Sequence, residues 1–137
     1  MSAFLDTNVL VYWIDDHPFS KQAEALITRE NVISVQVLNE FSNVLRNKRG
    51  MGWPDISKIS QTLQNLCKTC DLTLQTHSLA LYLAERYQFK IYDANIIAAA
   101  AQMRCDVVYS QDMQHGMSIQ MPAQYGGGSL AIRNPFL

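Results

Sequence analysis

The stretch Phe4-Leu5-Asp6-Thr7-Asn8-Val9-Leu10 constrains the fold of this chain more than any other. A short apolar run ends on a carboxylate, and Thr and Asn follow where a helix would begin. The segment therefore reads as a strand passing straight into a helix. In open α/β sheets ligands collect just outside the carboxyl ends of the strands, so Asp6 is expected to face solvent there from a rigid base. Three further acids stand beside apolar runs that would hold them still. They are Glu40 in Leu38-Asn39-Glu40-Phe41, Asp93 in Tyr92-Asp93-Ala94-Asn95 and Asp112 in Tyr109-Ser110-Gln111-Asp112.

The remaining chain alternates strand-like and helical patterns. Val9 to Ile14 is an apolar helix that stops at Asp15-Asp16-His17-Pro18, and Ser20 is placed to cap a second helix that runs to Arg29. Val32-Ile33-Ser34-Val35 is strand-like. Gln36 to about Arg49 carries Val37, Leu38, Phe41, Val44 and Leu45 on one face and ends near Gly50. At about 100° per residue, Glu40 falls roughly 40° beyond Val44, on the rim of that buried stripe, where it can reach a pocket. Ile56, Ile59, Leu63, Leu66, Cys67 and Cys70 form another helical stripe, Leu72-Thr73-Leu74 is a short strand candidate, and Leu79 to Tyr87 is helical again. Asp93 starts a helix with Ile96, Ile97, Ala100 and Ala101 on its own face, where the macrodipole favours a negative charge. Cys105 to Tyr109 is a second strong buried strand whose end is expected to face that of the first. Tyr125-Gly126-Gly127-Gly128-Ser129 reads as flexible, and Leu130 to Arg133 as an edge strand. Strands alternating with helices indicate an α/β fold, a parallel sheet with helices on both faces.

A chain of 137 residues suits one domain with an ordinary core, and its 48% hydrophobic and 17% charged residues are normal for a globule. No apolar run approaches the roughly 18 residues of a membrane span, and Met1 leads almost directly into the first strand without a basic, apolar leader, so a cytoplasmic protein is expected. Three cysteines in such a chain read as reduced thiols. Cys67-Lys68-Thr69-Cys70 has redox or zinc spacing, but both sulfurs fall on the apolar stripe and no second ligand pair follows, so buried structural thiols are expected. A net charge of −1 is not that of a general nucleic-acid binder. The objection weakens if several of the twelve acids are gathered in one pocket and screened by divalent cations. Carboxylates grouped in this way suit hard cations such as Mg²⁺ and Mn²⁺.

These residues together resemble the PIN-domain nucleases, particularly the VapC-type toxins of bacterial toxin-antitoxin pairs. The pieces that carry the resemblance are Leu5-Asp6-Thr7-Asn8-Val9-Leu10, Asn39-Glu40, Tyr92-Asp93-Ala94 with the Ile-Ile-Ala-Ala run, Tyr109 to Gly116, and Asn134-Pro135-Phe136. The resemblance implies a PIN-like three-layer fold over residues 1–137. It also implies a Mg²⁺- or Mn²⁺-dependent ribonuclease site built from Asp6, Glu40, Asp93 and Asp112, with Asn8 and Ser110 steadying the carboxylates. An RNA substrate, a cognate antitoxin and a homodimer would be its partners. Gln111 departs from the pattern, since relatives often carry an acid there, which leaves the number and affinity of metal ions open.

Bland readings stand beside these. A single acid can be a helix cap, Arg46, Lys48 and Arg49 can simply compensate a helix dipole, and His115 reads as a turn residue, with His17 and His77 lacking evident partners. The helix of Tyr12 and Trp13 reads as core or as a homodimer face. Among functions, a phosphatase with an aspartate after its first strand needs a second acid at position 8, where this chain has Asn8. A catalytically silent PIN-like module that binds RNA or protein is the remaining alternative, and its expected mark, loss of a pocket acid, is missing here.

Overall fold

The computed structural model describes residues 2–137. Its sheet has six strands, β1 (Ala3–Leu5), β2 (Val32–Ser34), β3 (Lys68–Cys70), β4 (Val107–Tyr109), β5 (Ser118–Gln120) and β6 (Ser129–Arg133), in the order β3-β2-β1-β4-β6-β5. All neighbours pair in parallel except β5, which is antiparallel to β6. Six helices pack around it: α1 (Thr7–Ile14), α2 (Ser20–Ile27), α3 (Val35–Arg49), α4 (Trp53–Leu66), α5 (Leu74–Tyr87) and α6 (Ile91–Gln102). This is the expected α/β fold, with a mixed rather than wholly parallel sheet. Among the described residues no helix is long and apolar enough to cross a membrane.

Successive residues of a strand point to opposite faces. Ala3, Phe4 and Leu5 are all buried, as are Val32, Ile33 and Ser34, so the centre of the sheet is covered on both sides. Phe4, Val108 and Ile132 stand side by side across β1, β4 and β6 and are fully buried. Each fully buried Phe, Leu or Ile contributes about 1.5–3 kcal/mol. Ala98, Ala99 and Ala100 are completely buried in α6, because side chains this small let the helix approach both α5 and the sheet.

The helix ends follow local chemistry. Ser34 ends β2 and caps α3 through the Val37 N–H, and Gly50 ends that helix with φ of 62°, a left-handed conformation that costs glycine little. The same logic corrects several sequence expectations. Ser20 does not cap α2; it is the first helical residue, and its hydroxyl donates to the Trp13 carbonyl. Leu72-Thr73-Leu74 is not a strand, because Thr73 and Thr76 form a reciprocal capping box at the start of α5. The strand lies earlier, at Lys68–Cys70, so Cys70 is not on the α4 stripe and Cys67 is that helix's C-cap. Both sulfurs are nevertheless buried, as is Cys105, and all three are free thiols.

The C-terminal third departs furthest. Leu130–Arg133 belongs to β6, which is flanked on both sides, and the true edge is β5. With only Ile119 buried between exposed Ser118 and Gln120, β5 offers a single apolar residue, too little for a pattern to register. The Gly126-Gly127-Gly128 segment lies in the connection between β5 and β6, and all three glycines have positive φ, from 64° to 100°.

Candidate active site

Asp6 and Ser110 each stand one residue past a strand end, two residues beyond Phe4 and Val108. They therefore continue the alternation on that buried face and meet each other. The Asp6 N–H prolongs the parallel ladder by donating to the Tyr109 carbonyl at 3.0 Å. The Asp6 side chain is not turned to solvent as expected: it is only 7% exposed. It caps α1, accepting the Thr7 N–H on Oδ1 at 2.7 Å, and accepts the Ser110 hydroxyl on Oδ2 at 2.7 Å. Burial pushes the Asp6 carboxyl up to about 6; the bonds from Ser110 and Thr7 oppose this, and the charges of Glu40 and Asp93 add to it.

Glu40 comes from the rim of α3, as the periodicity placed it. Its Oε2 accepts the Thr7 hydroxyl at 2.7 Å and its Oε1 accepts Gln36 Nε2 at 2.9 Å. Gln36 Nε2 also donates to the Tyr92 carbonyl at 3.1 Å, joining α3 to the first turn of α6, where Asp93 sits. Among the described residues nothing hydrogen-bonds to the Asp93 carboxylate, so it does not cap α6. Its pKa is raised by burial, then lowered by nearby Lys90 and raised again by Asp112 and Glu40. Asp112 is exposed; its Oδ2 accepts Asn8 Nδ2 at 3.1 Å, and Asn8 Oδ1 accepts the Gln111 N–H at 3.3 Å. Ser110 Oγ also accepts the N–H groups of Asp112 and Met113.

One hydrogen-bonded chain thus runs from Asp112 through Ser110 to Asp6, through Thr7 to Glu40, and through Gln36 to the backbone beside Asp93. The four acids come from four different elements and feel one another's charge. Among the described residues, no three acid, His or Cys side chains converge closely enough to enclose an ion as they stand. Like charges without a counterion repel, and neutral donors hold these carboxylates in place. The donor set is entirely oxygen, which fits a hard divalent cation and excludes a thiolate or imidazole site.

A family model for the PIN domain matches residues 3–115, a span that contains all four acids. The chain belongs to the PIN domain family. No curated protein matches it in sequence. VapC20 of Mycobacterium tuberculosis, a sarcin-ricin loop cleaving toxin, superposes on this PIN domain with a TM-score of 0.66 at 17% identity, covering 81% of this chain and 90% of that one. A toxin-antitoxin complex from Klebsiella pneumoniae gives 0.66 at 20% identity, covering 81% and 87%. VapBC2 from Rickettsia felis, bound to a promoter DNA fragment, gives 0.60 at 19% identity, covering 82% and 89%. At such identities these likenesses establish the PIN fold.

Within this PIN domain, sequence reasoning missed Thr7 and Gln36. Thr7 was legible as the residue after a capping acid, and Gln36 stands four residues before Glu40 on one helix face. The basic residues and histidines given bland readings have structural duties. Arg49 pairs with Asp15, while the Arg46 guanidinium lies 5.0 Å from the Trp53 ring centroid and donates to the Met51 carbonyl. His115 Nδ1 accepts the Asn134 N–H, the turn role expected of it. His17, which seemed partnerless, accepts the Phe19 N–H and packs with Tyr12 and Phe19. Gln111 accepts a hydrogen bond from the Tyr12 hydroxyl, so its only side-chain oxygen is already engaged.

Proposed function

We propose that this PIN domain is a metal-dependent endoribonuclease, the toxin of a type II toxin-antitoxin pair, acting in the cytoplasm and occupying residues 1–137 as one domain. The observation that carries this reading is the network at the carboxyl ends of the central strands β1 and β4, which joins Asp6, Glu40 and Asp112 and reaches the backbone beside Asp93. These four residues would hold Mg²⁺ or Mn²⁺. The chemistry supplied by that ion when bound is a lowered pKa for the attacking water and neutralised charge on the phosphoryl oxygens.

The chain's own part is placement. Ser110 and Thr7 fix the two oxygens of Asp6, so this carboxylate cannot rotate away from the site. Thr7 and Gln36 engage one oxygen each of Glu40, and Asn8 leaves Oδ1 of Asp112 available. Residues that hold metal-binding groups in this way are typically worth 10–100-fold in affinity or activity.

A negatively charged cleft is complementary to Arg or Lys, so the antitoxin in this reading lays such a side chain across the acids. The similarity to toxin-antitoxin assemblies supports that partner. The reading also includes a homodimer. Tyr12 and Trp13 are half-buried and Tyr12 packs edge-to-face against Phe19 and Phe136 within the chain, so exposed Leu74 and Leu81, two turns apart on α5, are the better apolar surface for it. The test is RNA cleavage by the pure protein with Mg²⁺ or Mn²⁺ and with EDTA. Cutting that requires the ion supports the reading; tight RNA binding without cutting would favour a silent binding module instead.

A further inference from the structure

Beside Asp93 and Asp112 lies a cleft of about 260 Å³ whose lining mixes aromatic and thioether side chains with polar ones. Phe89, Met113 and Met117 supply its apolar lining, and Lys90 and Gln114 are among its polar residues. The cleft falls slightly below the roughly 300 Å³ at which pockets for whole small molecules begin, so it suits one flat ring better than a larger ligand. Tyr87 also lines the cleft and is held in place. The Tyr87 hydroxyl accepts the Gln120 N–H at 2.9 Å, and the Tyr87 ring, which lies 6.1 Å from that of Phe89, is covered by the Arg86 guanidinium at 5.0 Å.

We propose that this cleft is a nucleobase subsite, taking the unpaired RNA base next to the phosphate that lies at the acids. The inference rests on the ribonuclease reading above and deepens it. Three observations favour a base over another occupant. The aromatic and thioether walls offer a face and polarisable edges for stacking, which every base accepts. Lys90 is in no salt bridge among the described residues and stands near Asp93, where a strand phosphate would need a cation. Gln114 lines the cleft and, among the described residues, makes no side-chain hydrogen bond, so its amide offers both a donor and an acceptor to a base edge. A base paired in a duplex presents no free face to the cleft, so unpaired RNA is selected.

The direct test is NMR of protein labelled with ¹³C-methyl methionine, titrated in Mg²⁺ with a short single-stranded RNA carrying phosphorothioate linkages. A base stacked in the cleft shifts the Met113 and Met117 methyls upfield by its ring current and leaves those of Met51, Met103 and Met121 in place. Cleavage products from unpaired RNA of random sequence are mapped in parallel for wild type, Phe89→Leu and Gln114→Ala. Gln114 is exposed, so its variant keeps the fold. The expected result is a base preference next to the cut that Gln114→Ala flattens, and RNA binding roughly five- to a hundredfold weaker in Phe89→Leu. Bound RNA that leaves both methyls unmoved, or an unchanged base profile in both variants, overturns the subsite alone. A wild type that neither binds nor cuts RNA overturns the ribonuclease reading and this one with it.

Discussion

Ser110 Oγ donates to Asp6 Oδ2 at 2.7 Å while accepting the N–H groups of Asp112 and Met113, so one hydroxyl joins two acids that are far apart in sequence. The hydroxyl is completely buried, and water cannot replace it without rearrangement. Ser110→Ala leaves one acceptor and two donors short of a partner. The expected cost is about 1–3 kcal/mol of stability in denaturant unfolding, with the Asp6 carboxyl driven higher still. Unchanged stability would mean that the loop after β4 is held by something else.

Thr7 holds Glu40 as Ser110 holds Asp6. Thr7→Val keeps the shape and removes the hydroxyl, so Mn²⁺ affinity read by titration calorimetry is expected to fall roughly 10–100-fold while the melting temperature changes little. Thr7→Ser should restore affinity, a rescue that a purely packing role for Thr7 would not give.

The Asp93 side chain makes no hydrogen bond among the described residues, and burial raises its pKa, a rise that Lys90 opposes and that Asp112 and Glu40 add to. Asp93→Asn is therefore expected to be at least as stable as wild type in EDTA, and divalent ions to stabilise wild type more than the variant through binding to the native state. Melts of both proteins in EDTA and in Mn²⁺ decide this. A clearly less stable Asp93→Asn in EDTA, with a wild type indifferent to metal, would make Asp93 a structural residue.

The pH dependence of the metal-free protein follows from Asp6. Its folded-state pKa is raised from 3.8 to about 6, so the native state keeps the proton that the unfolded chain releases. The associated stability is fully present below about pH 4 and is lost as pH rises to about 6, on the order of 3 kcal/mol in total. Asp6→Asn, which cannot ionise, should flatten that fall in denaturant unfolding across pH 4 to 7. An equally steep fall in the variant would place the titrating group elsewhere.

How far the sequence announces this site depends on the residue. Asp6, Asp93 and Asp112 follow or begin strongly apolar elements, so their elements could be read directly, and Glu40 follows from helical angle alone. The burial of Asp6 could not be read, because it arises from the pairing of β1 with β4 and the arrival of Ser110 from the other end of the chain. The positions of Thr7 and Gln36 were legible, but the partners that give them a role become visible only when α1, α3 and α6 converge. Local chemistry hid the Thr73 cap behind two leucines that are exposed. The edge strand β5 was hidden by having one apolar residue, Ile119, between two polar ones, so it is recognisable only through its pairing with β6.

The most direct measurement of the central claim is the RNA cleavage rate, in Mg²⁺ or Mn²⁺, of wild type against Asp6→Asn, Glu40→Gln, Asp93→Asn and Asp112→Asn, each first shown to be folded by circular dichroism. If the four carboxylates form one metal-dependent site, EDTA abolishes cutting by wild type, and Asp6→Asn and Asp93→Asn each lose orders of magnitude in rate while staying folded. Cleavage at the wild-type rate by both of those variants would contradict the four-carboxylate site outright.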